Sequence, residues 1–127
     1  MARASGNLAQ GMLAGYTVLD FTQIVAGPTT TRLMAEMGAE VIKIERPEGD
    51  FARGYDDVAK GQSSYFVWLN RGKQSRTLDL TTDDGKSELA RLLSEADIIR
   101  TILTDDNRDR AVFDIKVRPC TLLPRDW

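Results

Sequence analysis

The most chemically suggestive stretch of this sequence is a turn of small residues, Ala26-Gly27-Pro28, between a short apolar run and a helix-forming segment. The apolar run begins at Val18 and a second one leads to Arg46, so a strand, a helix and a strand fit into about thirty residues, the usual size of a βαβ unit. In such a unit the first loop and the helix N-terminus face one crevice, where free N–H groups favour an anion. The pattern therefore predicts phosphate or nucleotide binding.

Charged residues near this crevice narrow the choice of anion without fixing it. Glu45 ends the second apolar run about twenty residues after Gly27, where an acid can hold a ribose hydroxyl. Arg46 follows directly, and a cation beside the adenosine ribose suits a ligand with a phosphate on that sugar. The next loop adds further cations, which are Arg71, Lys73 and Arg76. On spacing alone, a solvated surface is the simpler interpretation, and the common fingerprints G-x-G-x-x-G and G-x-x-x-x-G-K-[ST] are absent.

The strand–helix–strand pattern occurs twice, which predicts an α/β fold with a Rossmann-like parallel sheet built from two βαβ units. The first helix presents an apolar stripe of Leu33, Met34 and Met37. In the second unit, a strand at residues 77–80 precedes a helix whose start is marked by Thr81 and Asp84 at capping-box spacing. The apolar stripe of this second helix is Leu89, Leu92, Leu93 and Ala96. A fourth strand is expected to begin at residues 97–99.

The remaining segments divide the chain into a lead-in, the two units and a tail. Residues 1–14 are expected to be a flexible lead-in, residues 15–99 hold both units, and residues 100–127 form a tail with one half-buried strand near residues 113–117. Residues 47–64 carry glycines and charges without a period, which is typical of a long loop. The apolar block that follows, at residues 65–69, is expected to be buried.

Composition limits the classes of partner. With 17 Lys and Arg against 19 Asp and Glu, the chain has no general field that attracts nucleic acid or an anionic membrane surface. No apolar run is long enough to span a bilayer, and the expected location is the cytoplasm. The single Cys120 has no His partner and is interpreted as an inert thiol. Asp83 and Asp84 are interpreted as helix-start charges, so no metal site is predicted.

Two stretches, VLDFTQIVAGPTTTRLMAEMGAEVIKIERPEGDFAR and NRGKQSRTLDLTTDDGKSELARLLSEADII, closely resemble the N-terminal segment of family III CoA-transferases. This CaiB/BaiF type of protein includes formyl-CoA transferase and alpha-methylacyl-CoA racemase. The resemblance runs from Gly15 to Ile99. It implies a Rossmann-like segment that holds the adenosine diphosphate portion of coenzyme A, and it does not identify the acyl group.

The resemblance also implies a set of cofactor-binding residues, position by position. Val25 and Ala26 resemble the loop residues that meet the cofactor, and Arg46 resembles the arginine near the adenosine phosphates. Leu78 resembles the apolar contact to adenine. Lys73 matches the lysine of the family's N-R-x-K-R-S run and is a secondary candidate.

The chain departs from the family pattern where chemistry would be expected. Thr81 stands where many relatives have a basic residue, and RTILTD replaces the usual E-N-F-x-P-G run after Ile99. In the family the nucleophile is an aspartate that attacks the acyl-CoA thioester, and it lies well beyond residue 127. The racemase branch would need a His and Asp pair, and this sequence has no His. No catalytic residue is therefore assigned.

The leading hypothesis is the N-terminal, CoA-binding portion of a family III CoA-transferase, which moves coenzyme A between an acyl-CoA and a carboxylic acid. The sequence is expected to be a truncated or frameshifted product, or a fragment of a longer enzyme, and inactive as an isolated chain. The alternatives are a binding module for coenzyme A or an adenine nucleotide without catalysis, a racemase-type relative, and a remnant that self-associates. A homo-oligomer, or association through exposed apolar surface around residues 65–69, is expected.

Overall fold

The computed structural model describes residues 11–104 and the backbone of residues 111–117, with side chains described up to residue 101. The predictions for most of the lead-in, for Cys120 and for the side chains of the tail lie outside the described residues. The elements in chain order are β1 (Thr17–Asp20), α1 (Ala26–Glu36), β2 (Glu40–Glu45), a 3-10 turn (Phe51–Gly54), α2 (Ser64–Leu69), β3 (Gln74–Thr77), α3 (Asp83–Glu95), β4 (Ile98–Thr104) and β5 (Ala111–Val117).

The strands form one sheet in the order β3-β2-β1-β4-β5. β1 runs parallel to both β2 and β4, and β2 runs parallel to β3, whereas β5 is antiparallel to β4. The predicted α/β fold, a Rossmann-like parallel sheet built from two βαβ units, is confirmed. The winding direction reverses between β1 and β4, and in open α/β sheets ligands bind outside the carboxyl ends of the strands at such a reversal.

The sheet has an apolar core on each face because helices cover both. On one face a cluster forms around Leu19 of β1 and Ile42 of β2, and α3 contributes Leu92 to it. On the other face Val18 and Val41 pack together, and α1 contributes Met34. Central strands that are buried on both faces have continuous apolar runs as their sequences. For this reason the apolar runs predicted the positions of β1 and β2.

Helix α1 packs on the sheet through small residues and Met34, which corrects the predicted apolar stripe in part. Its buried residues are Gly27, Pro28 and Thr31. Leu33 and Met37 are 47% and 39% exposed. A Cβ atom on Gly27 would lie only 2.2 Å from the Cβ atom of Thr22. Glycine at this position therefore permits the close approach of α1 to the loop at Thr22.

The second unit differs from its prediction by small shifts. β3 covers Gln74–Thr77, so it ends where the predicted strand at residues 77–80 begins. The N-cap of α3 is Thr82, whose hydroxyl accepts a hydrogen bond from the N–H of Gly85 at 3.1 Å, while the Thr81 hydroxyl donates to Asp79 at 2.6 Å. Thr81 was therefore the wrong cap, because the preceding Asp79 engages it in a local turn. Within the predicted stripe of α3, Leu92 and Ala96 are buried and Leu93 is exposed.

The aromatic block is only partly buried. It forms the short helix α2, in which Phe66 and Leu69 point inward and Val67 and Trp68 are 41% and 56% exposed. Helical periodicity explains the correction, because adjacent residues of a helix face different directions. Within the part of the chain that is described, no helix is long and apolar enough to cross a membrane.

Candidate functional site

The loop between β1 and α1 presents the exposed end of a helix at the carboxyl ends of the strands. Ile24 adopts a left-handed backbone conformation, with a φ of 73°, which is unusual for a β-branched residue. Val25 is the N-cap of α1, and no side chain caps the helix. Ile24, Val25 and Ala26 are exposed. The first N–H groups of a helix have no acceptor within it, so this end of α1 favours an anion.

Behind the loop lies a buried carboxylate, Asp20, at the end of β1. One of its oxygens accepts the backbone N–H of Thr22 at 2.9 Å and also the hydroxyl of Thr22. Its other oxygen accepts the hydroxyl of Thr31 at 2.6 Å and the ammonium of Lys73 at 2.9 Å. Burial alone would raise the pKa of Asp20, but the positive charge of Lys73 and the two threonine hydrogen bonds outweigh burial and lower it. Asp20 is therefore an ionised anchor for the loop.

Lys73 completes this cluster from the loop before β3. Its side chain is only 1% exposed. Besides Asp20, its ammonium donates to the carbonyl of Pro28 at 3.0 Å and to the side-chain oxygen of Asn70 at 2.9 Å. The three protons of a lysine ammonium thus have three acceptors in the protein. Lys73 lies directly behind the first turn of α1.

A second buried ion pair lies beside the first. Lys43 of β2 stands opposite Asp20 in the parallel register. Its ammonium lies 2.8 Å from a carboxylate oxygen of Asp50 and donates to the carbonyl of Thr22 at 2.8 Å. Asp50 in turn caps the 3-10 turn by accepting the N–H of Ala52 at 2.9 Å. Lys43 and Asp20 together hold Thr22 by its carbonyl, its N–H and its hydroxyl.

Glu45 was considered as a partner for a ribose hydroxyl, but its carboxylate already accepts hydrogen bonds from other groups of the protein. Arg53 donates to its carboxylate in a bidentate manner, at 2.8 and 2.7 Å. Ser75 donates at 2.7 Å and the N–H of Asp50 at 3.0 Å. Burial would raise the pKa of Glu45, but these hydrogen bonds and the charge of Arg53 lower it to about 2. Its four donors give Glu45 a structural role in this arrangement.

Arg46 is the exposed cation that follows β2. Its guanidinium lies 5.5 Å from the centroid of the Phe51 ring, within the range of a cation–π contact. Phe51 is 62% exposed. Arg46 and Phe51 therefore form an accessible pair with an apolar ring and a positive charge at the carboxyl end of β2.

Leu78 lies just after β3 and belongs to the apolar core. Its N–H donates to the carbonyl of Glu45 at 2.9 Å and so extends the pairing of β2 with β3. Its side chain packs in the cluster that contains Leu19, Ile42 and Ile44. The geometry leaves Val25, Ala26 and Arg46 exposed, while Leu78 and Lys73 are enclosed by protein.

Sequence reasoning did not identify the buried charges Asp20, Lys43 and Asp50. One signal was present, since a lone charged residue inside or at the end of a buried apolar run requires a partner of opposite charge. The partner of Asp20 is Lys73, 53 residues away, whereas Lys43 and Asp50 pair across the loop that follows β2. No group of three or more His, Cys, Asp or Glu side chains that could hold a metal ion occurs among the described residues.

The strand order and the β1–α1 loop define a Rossmann-like α/β protein. The sequence profile of the family described as CoA-transferase family III matches residues 13–116. The chain belongs to this family, and the predicted family is confirmed. The matched range extends past residue 99 into the segment that the sequence analysis treated as a tail.

Curated relatives match the chain over about two thirds of its length. The chain is 47% identical over 90 residues to a probable fatty acyl-CoA transferase, Rv3272, of Mycobacterium tuberculosis, covering 68% of this chain and 23% of that protein. It is 43% identical over 94 residues to the succinyl-CoA:mesaconate CoA-transferase of Haloarcula hispanica, covering 70% and 24%. It is 47% identical over 89 residues to the formyl-CoA:oxalate CoA-transferase of Rhodopseudomonas palustris, covering 68% and 21%.

Solved structures show the same partial overlap. A CaiB/BaiF family protein from Brucella suis superimposes with a TM-score of 0.65 at 39% identity, covering 71% of this chain and 25% of that one. The orthorhombic form of Rv3272 from Mycobacterium tuberculosis gives a TM-score of 0.64 at 44% identity, covering 70% and 26%. The chain therefore spans about a quarter of the length of the relatives that it matches.

Proposed function

We propose that residues 15–99 form the coenzyme A-binding portion of a family III CoA-transferase, an enzyme that moves coenzyme A between an acyl-CoA and a carboxylic acid. One observation carries the proposal. Relatives named for formyl-CoA with oxalate, for succinyl-CoA with mesaconate and for fatty acyl-CoA each match 68–70% of this chain at 43–47% identity. Their names differ in the acyl group and share coenzyme A. A segment common to all of them is thus suited to the shared part of the substrate.

The exposed end of α1 is the proposed contact for the phosphates. Backbone N–H groups at Val25 and Ala26 offer uncharged donors at the positive end of the helix dipole. Arg46 supplies the charge beside the adenosine, and its guanidinium suits a phosphate better than an ammonium because it offers several donors in one plane. Leu78 is proposed as an apolar neighbour of the adenine only through the small part of it that the core leaves exposed, which is 9%. Lys73, the remaining candidate, would require its present acceptors to be exchanged for a ligand oxygen.

Calorimetric titration of the 127-residue chain with coenzyme A and with dephospho-coenzyme A tests the site. We expect binding that weakens when the phosphate on the ribose is removed and when Arg46 is changed to Ala. Arg91→Ala is the matched control, because Arg91 is an exposed cation on α3 that pairs with Glu88 and Glu95 of its own helix. Absence of binding, or equal losses in the two variants, would contradict the proposed site.

Turnover is a separate question, since no residue of this chain is assigned as the nucleophile. We propose that the isolated chain binds coenzyme A without transferring it. An assay with formyl-CoA, succinyl-CoA and a long-chain acyl-CoA as donors, each with a carboxylic acid acceptor, distinguishes binding alone from binding followed by transfer. Formation of a new acyl-CoA by this chain would show that a nucleophile is present and that a non-catalytic role is wrong.

We further propose a cytoplasmic location, where acyl-CoA substrates and a reduced Cys120 are both expected, and association through exposed apolar surface. Val67 and Trp68 on α2, with Leu33 and Met37 on α1, are the exposed apolar side chains of two helices that contact each other. Sedimentation of the purified chain over a range of concentrations would reveal self-association. A Trp68→Gln variant that sediments like the wild type would exclude α2 as the contact.

A further inference from the structure

The first turn of α1 is held from behind by charges that are inaccessible to a ligand. Thr22 is fully buried and is bound through its N–H and hydroxyl by Asp20 and through its carbonyl by Lys43. Pro28 is bound through its carbonyl by Lys73. The exposed residues between these two points include Ile24, whose left-handed backbone requires support from its surroundings.

We infer that Asp20 and Lys73 are positioning residues for coenzyme A, whose buried ion pair fixes the β1–α1 loop and the first turn of α1 without contacting the ligand. The inference rests on the proposed function. It assigns Lys73 an indirect role, because its ammonium protons already have acceptors and its side chain is 1% exposed. It also assigns a role to Asp20, although the negative charge of this carboxylate by itself would repel the phosphates of coenzyme A.

The sign of one substitution distinguishes positioning from direct attraction. Asp20→Asn removes a negative charge near the proposed phosphate site, so attraction between charges alone predicts tighter binding of coenzyme A. Positioning predicts weaker binding, because the amide cannot accept all the hydrogen bonds that the carboxylate accepts. We expect roughly a tenfold loss of affinity, the effect of a lost hydrogen bond to a charged group. Amide hydrogen exchange at residues 22–29 of the ligand-free chain should become faster.

A second variant keeps the test decisive if Asp20→Asn does not fold. Thr31→Val preserves charge and shape. It removes the 2.6 Å hydrogen bond to Asp20 and the 3.2 Å contacts of the same hydroxyl with the carbonyls of Gly27 and Pro28. We expect roughly a tenfold loss of affinity, the effect of one hydrogen bond to a charged group, together with faster amide hydrogen exchange in the same loop. Thr30→Val is the matched control on the same helical turn, since the Thr30 hydroxyl donates only to the carbonyl of Ala26 among its described contacts.

The outcomes separate this inference from the proposed function. Binding by the wild-type chain that is unchanged or tighter in Asp20→Asn, or unchanged in Thr31→Val, overturns the positioning role and leaves the coenzyme A site intact. No binding by the wild-type chain overturns the proposed function, and the positioning role for coenzyme A with it. Equal rates of amide hydrogen exchange in the loop of Thr31→Val and Thr30→Val overturn the positioning role, whether or not the wild-type chain binds coenzyme A.

Discussion

Two groups of ion pairs in this molecule have the same chemistry and different surroundings. At the carboxyl ends of the strands, Lys43 and Lys73 pair with Asp50 and Asp20, and all of these side chains are at most 1% exposed. On α3, Arg91 pairs with Glu88 and Glu95, and all three side chains are solvated. Solvent screens the second group, whereas breaking a buried pair leaves an uncompensated charge in a medium that solvates it poorly. The comparison indicates that stability and loop geometry depend on the buried group.

The largest expected effect comes from breaking a buried pair. Lys43→Met leaves Asp50 without its cation and Thr22 without a donor to its carbonyl, so we expect a loss of about 3–5 kcal/mol in the free energy of unfolding. Urea denaturation followed by circular dichroism measures this loss. Removing both charges, in Lys43→Met with Asp50→Leu, should recover part of it. A single variant as stable as the wild type would show that the pair contributes little.

A smaller loss of stability is expected from a substitution where α1 meets the β1–α1 loop. Gly27→Ala places a Cβ atom 2.2 Å from Thr22, and the strain should cost about 1–3 kcal/mol. Gly54→Ala is the control, because a Cβ atom at Gly54 meets nothing within 4 Å. Thermal unfolding of the two variants side by side gives the difference. Equal midpoints would mean that α1 can move away from the loop without cost.

The buried cluster should also make stability depend on pH. The folded-state pKa of Glu45 is about 2, below its ordinary value of 4.5. Glu45 therefore stabilises the fold fully above pH 4.5, and this contribution is lost as the pH falls toward 2. Asp20, whose pKa is also lowered, acts in the same direction. In Glu45→Gln, unfolding measured across this range should show a shallower dependence on pH, and an unchanged slope would contradict the assignment.

The smallest effect is expected on α3. Glu88 accepts from Arg91 at 2.6 Å and lies 3.4 Å from Arg76, yet the cluster is open to solvent. We expect Glu88→Gln to leave the urea midpoint unchanged within error, at both low and high salt. A loss comparable to that of Lys43→Met would remove the distinction between the two groups of charges.

Much of the fold could be predicted because its signals are local. Apolar runs located β1 and β2, and repetition of the strand–helix–strand pattern predicted the parallel sheet. Errors arose where specific side-chain contacts, and not periodicity, decided the outcome. Within the predicted stripe of α1, Met34 packs on the core, whereas Leu33 and Met37 are exposed. The cap of α3 was shifted by one residue because Asp79 binds Thr81.

The candidate site was less predictable for the same reason. The order of the elements placed Ala26 at the start of α1 and Arg46 after β2, and the family resemblance named Val25 and Ala26 as cofactor contacts. The enclosure of Lys73 depends on Asp20, which lies 53 residues earlier in the chain, and the enclosure of Glu45 depends on Arg53 and Ser75. Whether a cation faces a ligand or a buried carboxylate is a matter of which segments the fold brings together.

The sequence by itself determined the two βαβ units, the family and the parallel direction of the strands, since periodicity and motif order are properties of contiguous residues. Only the tertiary structure decided which charges are buried and paired. The physical reason is that a charge leaves water only when a partner of opposite charge is already in place. For Asp20 that partner is Lys73, which lies 53 residues later in the chain.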